Sequence, residues 1–104
     1  MITEKQLIEK GYKRHPKNDL WRYSEFFYQK EIYDILGEKY FIDMVYYAAI
    51  VEIDFCGAWM CALRIEKPFY SFDQHGATDL DKCEANCEKF FQTFKCEDYE
   101  KWTR

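Results

Sequence analysis

Apolar residues recur along this chain at two different periods, and the switches between them mark its elements. Near the N-terminus Leu7 and Ile8 form a short stripe behind Thr3-Glu4-Lys5-Gln6. That spacing is a capping box, in which a Thr hydroxyl takes an orphan helix N–H and Gln6 folds back onto the cap. Gly11 follows Lys10 as a stop, so the pattern predicts a helix over residues 3–10. His15-Pro16-Lys17-Asn18-Asp19 carries the breakers of a loop.

From Leu20 to Lys30 the period becomes two. Trp21, Tyr23 and Phe27 share one face of the predicted strand, and Arg22, Phe26 and Tyr28 share the other. Leu36-Gly37-Glu38 signals a turn, and residues 40–47 form a second strand, so 20–47 reads as a hairpin with a long connection. Between Ile50 and Ile65 two alternations flank Cys56-Gly57. Val51, Ile53 and Phe55 oppose Glu52 and Asp54; then Trp59, Cys61, Leu63 and Ile65 oppose Met60, Ala62, Arg64 and Glu66. A sheet with one buried and one wetter face has that pattern. At Ala48-Ala49 a turn and a bent continuous strand fit equally well.

After Pro68, residues 69–72 suit a brief edge strand and Gln74-His75-Gly76 a loop. Thr78 is placed to cap a long final helix, with Asp79 and Asp81 in its first turn where the helix dipole favours anions. Leu80, Cys83, Cys87, Phe90, Phe91 and Phe94 form its apolar stripe, and residues 98–102 follow as a short tail. The expected fold is therefore α+β in a single domain over 1–104. An antiparallel sheet of three to four strands carries a long C-terminal helix on one face, with a short N-terminal helix beside it.

Composition sharpens this picture. Aromatic residues make up 20% of the 104 and hydrophobic residues 48%, so a small domain has large side chains to bury. With four Gly and two Pro, the chain has none of the composition of a disordered segment. Aromatics on both faces of the 20–30 strand exceed what one helix covers. They must meet the first helix, the tail around Trp102, or another protein.

Net charge is −4 but uneven: residues 1–30 carry +3 and residues 31–104 carry −7. An acidic body repels phosphates, so direct nucleic-acid binding is not expected. Lys10, Lys13, Arg14, His15 and Lys17 with Trp21 and Tyr23 do mix charge with stacking surface, but a solvated connection explains them more simply. The best apolar run, Tyr40 to Leu63, contains Asp43, Glu52 and Asp54, each costly inside a bilayer, so no membrane association is expected. The first residues lack an apolar secretory core, and five cysteines are an odd number; both fit free thiols in a reducing cytoplasm.

Candidate chemistry is sparse. Cys83 and Cys87 lie four residues apart on one helix face, and Cys56 and Cys61 could complete a zinc site, with Cys96 or His75 as substitutes. No Cys-x-x-Cys knuckle is present, however, and the same stripe must pack on the sheet, where a thiol serves as a small hydrophobe. No metal or other cofactor is therefore expected. His75 as base to a cysteine nucleophile lacks any oriented third partner. Glu52 and Asp54, with Asp43 nearby, could hold Mg²⁺ or exchange protons, but the solvent face of a strand is the simpler reading. There is no phosphate-binding glycine loop and no helical His-Glu-x-x-His, so a non-enzymatic role is expected.

Gly11-Tyr12-Lys13, Tyr28-Gln29-Lys30, Gly37-Glu38-Lys39-Tyr40-Phe41-Ile42-Asp43, Glu88-Lys89-Phe90-Phe91 and Asp98-Tyr99-Glu100 run through most of the chain. In these segments it resembles short proteins encoded by phages and prophages of Firmicutes. The resemblance implies a small accessory protein acting in the host cytoplasm. Proteins of this size and acidity in that setting resemble stoichiometric inhibitors of host defence, anti-CRISPR proteins among them. On that reading the partner is a host defence protein such as a CRISPR nuclease. Glu52, Asp54, Glu84 and Glu88 would meet its Lys and Arg residues, and Trp21 and Tyr23 would supply aromatic contact. Lys82, Lys89 and Lys95 dilute the acidity of the helix. Pairing of two copies through an uncovered sheet edge stands as a further expectation.

Overall fold

A computed structural model describes residues 2–17, 19, 21, 24–35, 37–50, 55–65 and 70–102, with side chains outside 48–50, 55–57, 70 and 94–102. In chain order the elements are α1 (Glu4–Glu9), β1 (Lys13–Pro16), β2 (Phe26–Ile35), β3 (Glu38–Ile50), β4 (Phe55–Ile65), β5 (Tyr70–Ala77) and α2 (Leu80–Trp102). The five strands form one antiparallel sheet in the order β1-β2-β3-β4-β5. The α+β class is as expected; the strand count is five, not three to four.

Local signals act where the sequence placed them. Thr3 is extended and its Oγ1 accepts from the Gln6 N–H at 3.1 Å, capping α1. Gly11, at φ +93°, turns the chain out of the helix into β1. β2 and β3 meet in a tight hairpin at Gly37, at φ +86°, because Ile35 pairs with Glu38.

Pairing overrides local composition elsewhere. Residues 13–16, expected to lead into a loop, form an edge strand against β2, with Pro16 at its end where no ladder N–H is required. His15 lies opposite Phe27 and stacks on its ring at 5.2 Å. The strand expected from Leu20 begins only at Phe26. The Ser24 N–H bonds the Trp21 carbonyl, and the Ser24 hydroxyl lies within hydrogen-bonding distance of the Phe26 and Tyr46 carbonyls, sharing its one proton between them before the ladder starts. The strand then continues to Ile35, through residues expected to be connection. β3 is continuous through Ala48-Ala49, with Ala49 opposite Cys56. Glu52 and Asp54, with Val51 and Ile53, lie outside the described residues.

β5 likewise runs through Gln74-His75-Gly76, expected as loop, because β4 supplies the partner hydrogen bonds. The register shifts between Trp59–Ala77 and Met60–His75, leaving Gly76 as the extra residue of a bulge at φ +65°. Asp79, not Thr78, caps α2: its Oδ1 accepts from the Lys82 N–H at 3.1 Å, the three-residue spacing that a cap requires. The expected separate tail is instead the end of α2, which runs to Trp102.

The main core lies between the sheet and the helices. Tyr28, Tyr40, Ile42, Met44, Cys61 and Leu63 project from β2–β4; Leu80, Cys83, Cys87 and Phe91 meet them from α2, and Ile2, Leu7 and Tyr12 from the N-terminal segment. Phe91 stacks on Tyr33 at 3.9 Å and meets Tyr40 edge-on at 4.9 Å; Phe90 stacks on Phe72 at 4.3 Å. The opposite face, expected to be wetter, is buried at its centre. Phe27, Val45, Tyr47, Met60 and Ala62 form a second cluster against half-buried Trp21. Among the described residues only Ile8, 61% exposed, is a large hydrophobic left in solvent. The aromatic surplus of β2 is thus met largely within the chain.

Candidate binding site

Three polar or thiol clusters and one cleft hold the side chains on which a function can rest. The first cluster lies on the face away from α2. Asp43 is fully buried, and three donors converge on it: Arg64 Nε at 2.8 Å and Trp21 Nε1 at 2.8 Å on Oδ2, and Gln29 Nε2 at 3.0 Å on Oδ1. The Arg64 guanidinium also lies over the Phe41 ring at 4.7 Å. A buried carboxylate with both oxygens bonded and a cation in contact is a structural pair, tying Trp21, β2, β3 and β4 together. Trp21, expected to supply aromatic contact to a partner, is half-buried, and its indole N–H is held by Asp43. Tyr23 lies outside the described residues.

The second cluster gathers α1, β2 and α2 around Glu84. Its Oε2 accepts from Lys30 Nζ at 2.7 Å and from the Tyr12 hydroxyl at 2.9 Å, and its Oε1 accepts from Lys10 Nζ at 3.2 Å. Burial alone would raise the Glu84 carboxyl, but the hydrogen bonds from Lys30 and Tyr12 and the Lys30 charge outweigh it, so its pKa is lowered. Burial, then the Glu84 charge, raises the Tyr12 hydroxyl. Lys10 also pairs with exposed Asp81. Glu84 is therefore an internal clasp for α2. Glu88 is exposed and accepts from the Tyr33 hydroxyl and, at 2.8 Å, from Gln92 Nε2.

The thiols form the third cluster, between β4 and α2. Cys61 and Cys87 are fully buried with their sulfurs 3.7 Å apart, and Cys83 is buried beside them. The hydrogen bond with Cys87, then burial, raises the Cys61 thiol; the same bond, aided by Gln74 Nε2 at 3.3 Å, lowers Cys87 despite its burial. Among the described residues no group of three or more His, Cys, Asp or Glu is arranged to hold a metal ion. The Cys56 side chain lies outside them. The described thiols act as core packing joined by an S–H···S bond.

The cleft is built by register. Tyr46 lies opposite Trp59, Trp59 lies opposite Ala77, and Phe26 follows Phe27, which pairs with Val45. One cross-strand row therefore runs from aromatic residues on β2, β3 and β4 into the small residues of β5. Where the row changes from Trp59 to Ala77, with Ala58 and Gly76 alongside, it opens a cleft of about 380 Å³. Ile2, Glu4 and Thr78 close its ends. Tyr46 and Trp59 are tilted by 55° with centroids 5.1 Å apart, and Tyr28 backs Trp59 at 6.2 Å. Trp59 Nε1 donates to the Ile2 carbonyl at 3.1 Å, fixing the indole and the chain start together. The Arg14 guanidinium lies 4.2 Å over Phe26. Burial, then the charge of Glu4 and a hydrogen bond to it, raises Tyr28.

Sequence reasoning did not single out this cleft. Alternation put Phe26 on one face with Tyr28, and Trp59 on one face with Cys61 and Leu63, but only the register brings them into one row. Among the described residues no helix is long and apolar enough to cross a membrane. No protein-family model matches the chain, and neither a curated protein nor a solved structure matches it.

Proposed function

We propose that the chain is a non-enzymatic binding protein of phage or prophage origin, which inhibits a host defence protein such as a CRISPR nuclease by occupying part of its surface. Supporting this reading is the coincidence of aromatic and acidic groups at one cleft: Phe26, Tyr46 and Trp59 form its wall and exposed Glu4 its rim. The buried polar clusters, by contrast, bind one element to another and point to structural work. Concave sites walled by aromatic side chains with few polar groups suit recognition of a protruding partner side chain. The acidic balance of the chain favours a partner with basic surface, such as one that otherwise holds phosphate.

The test is the plating efficiency of a CRISPR-targeted phage on a Firmicutes host that expresses the chain, followed by a cleavage titration with the purified nuclease. Restored plating and inhibition that saturates at equimolar chain are expected. Unchanged plating across hosts carrying different defence nucleases would sink the proposal.

A further inference from the structure

We infer that the cleft takes an arginine side chain of the partner protein, the guanidinium lying against the aromatic wall with its charge toward Glu4. The inference rests on the binding role proposed above and names the group that this site recognises.

Hydrogen-bonding capacity decides the sign of the occupant. The indole N–H of Trp59, the strongest donor of the wall, is already held by the Ile2 carbonyl at 3.1 Å. The Tyr28 hydroxyl behind it is directed to Glu4. The lining keeps the Tyr46 and Thr78 hydroxyls, which can donate or accept, the ring faces, and the Glu4 carboxylate as its charged group. No residue among the described lining is basic, and exposed Asp79 follows directly after Thr78. An anion would meet the adverse charge of Glu4; a purely apolar group would make no use of that carboxylate, which already accepts from the Tyr28 hydroxyl. A cation uses both the carboxylate and the ring faces.

Shape favours arginine over lysine. Arginine is planar and stacks on aromatic faces, and its fork can bond a carboxylate while doing so. The chain itself shows the geometry: the Arg14 guanidinium lies over Phe26, a cleft residue, and Arg64 lies over Phe41. At about 380 Å³ the cleft lies near the low end of the volumes that ligand sites occupy, about 300–1,000 Å³, which suits one long side chain better than a nucleotide.

The probe is Nα-acetyl-arginine N-methylamide, titrated into ¹⁵N-labelled protein while the Trp59 indole N–H is followed, with the citrulline analogue as an uncharged control of the same shape. The arginine compound is expected to give a saturable shift at Trp59 and to bind about tenfold tighter than citrulline. That preference should narrow in Glu4→Gln, which removes the rim charge and keeps an oxygen to accept from the Tyr28 hydroxyl. Ala77→Leu, which fills the cleft from β5, should abolish the shift while Glu4→Gln retains the fold. Equal binding of the two compounds, no saturable shift with arginine, or an unaltered shift in Ala77→Leu would overturn the inference. If Ala77→Leu still inhibits the nuclease fully, the cleft assignment falls and the inhibitory role stands. If arginine binds as described but no nuclease is inhibited, the inhibitory role falls and the site stands.

Discussion

Replacing Asp43 by Leu removes the acceptor for three donors at once and leaves Arg64 buried without its counterion. The Asp43 side chain is fully buried and that of Arg64 is 10% exposed, so water cannot readily replace either partner. Breaking a buried pair from one side costs roughly 3–5 kcal/mol, most of it from the charge left behind. Part of the effect here is relieved by the Phe41 ring beneath the guanidinium, which places the expected loss near the lower end, about 3 kcal/mol. The partner substitution Arg64→Met strands Asp43 in the same way and should cost a similar amount. In the double variant Asp43→Leu/Arg64→Met both charges are gone, and the sheet face around Val45, Met60 and Ala62 should accept the apolar pair. Its stability is expected within about 1 kcal/mol of the parent, so the two single losses do not add and the coupling between the sites is roughly 5 kcal/mol. Urea unfolding followed by far-ultraviolet circular dichroism measures all four corners of the cycle. Single-variant losses below about 1 kcal/mol that simply add in the double variant would refute the buried-pair reasoning.

Other outcomes follow from the same physical picture. Because the Glu84 pKa is lowered in the fold, its contribution is fully present above the unfolded carboxylate pKa, about 4.3, and is lost as pH falls through the folded value. Lys30→Met should remove roughly 1 kcal/mol at neutral pH and flatten the acid limb of urea midpoints measured against pH; an unchanged limb would mean that the clasp is not formed. Phe91→Ala, which empties the space between Tyr33 and Tyr40, should cost roughly 3–5 kcal/mol in the same unfolding assay. A loss under about 1 kcal/mol would show that α2 does not dock there.

Much of this fold can be read from local signals, because local signals describe residues that act on near neighbours. The Thr3 cap, the Gly11 stop, the Gly37 turn and the Leu80–Phe91 stripe each depend on contacts within a few positions or on one helix face. Lys13–Pro16 and Gln74–Ala77 are different. Alone they have loop composition, and they become strands because β2 and β4 present ladders that satisfy their backbone groups. The polar substitutions along β3 and β4 misled for a related reason. Asp43 and Arg64 suggested a wet face, yet both are buried, because they are diagonal neighbours on β3 and β4 and each satisfies the other. Cysteine spacing found Cys83 and Cys87 on one helix face correctly, but packing made Cys61 a neighbour for a hydrogen bond. The cleft was least legible. Phe26, Tyr46, Trp59 and Ala77 are separated by long intervals in sequence and become neighbours only once three strand registers are known.

The recognition role of that cleft is tested most directly by comparing two variants in one nuclease titration. Ala77→Leu fills the cleft, while Glu88→Gln alters the exposed acidic side of α2 and leaves the cleft untouched. Ala77→Leu should lose inhibition by at least about tenfold in concentration while Glu88→Gln stays near the parent chain. Full inhibition by Ala77→Leu together with loss in Glu88→Gln would contradict it and move the contact surface to the helix.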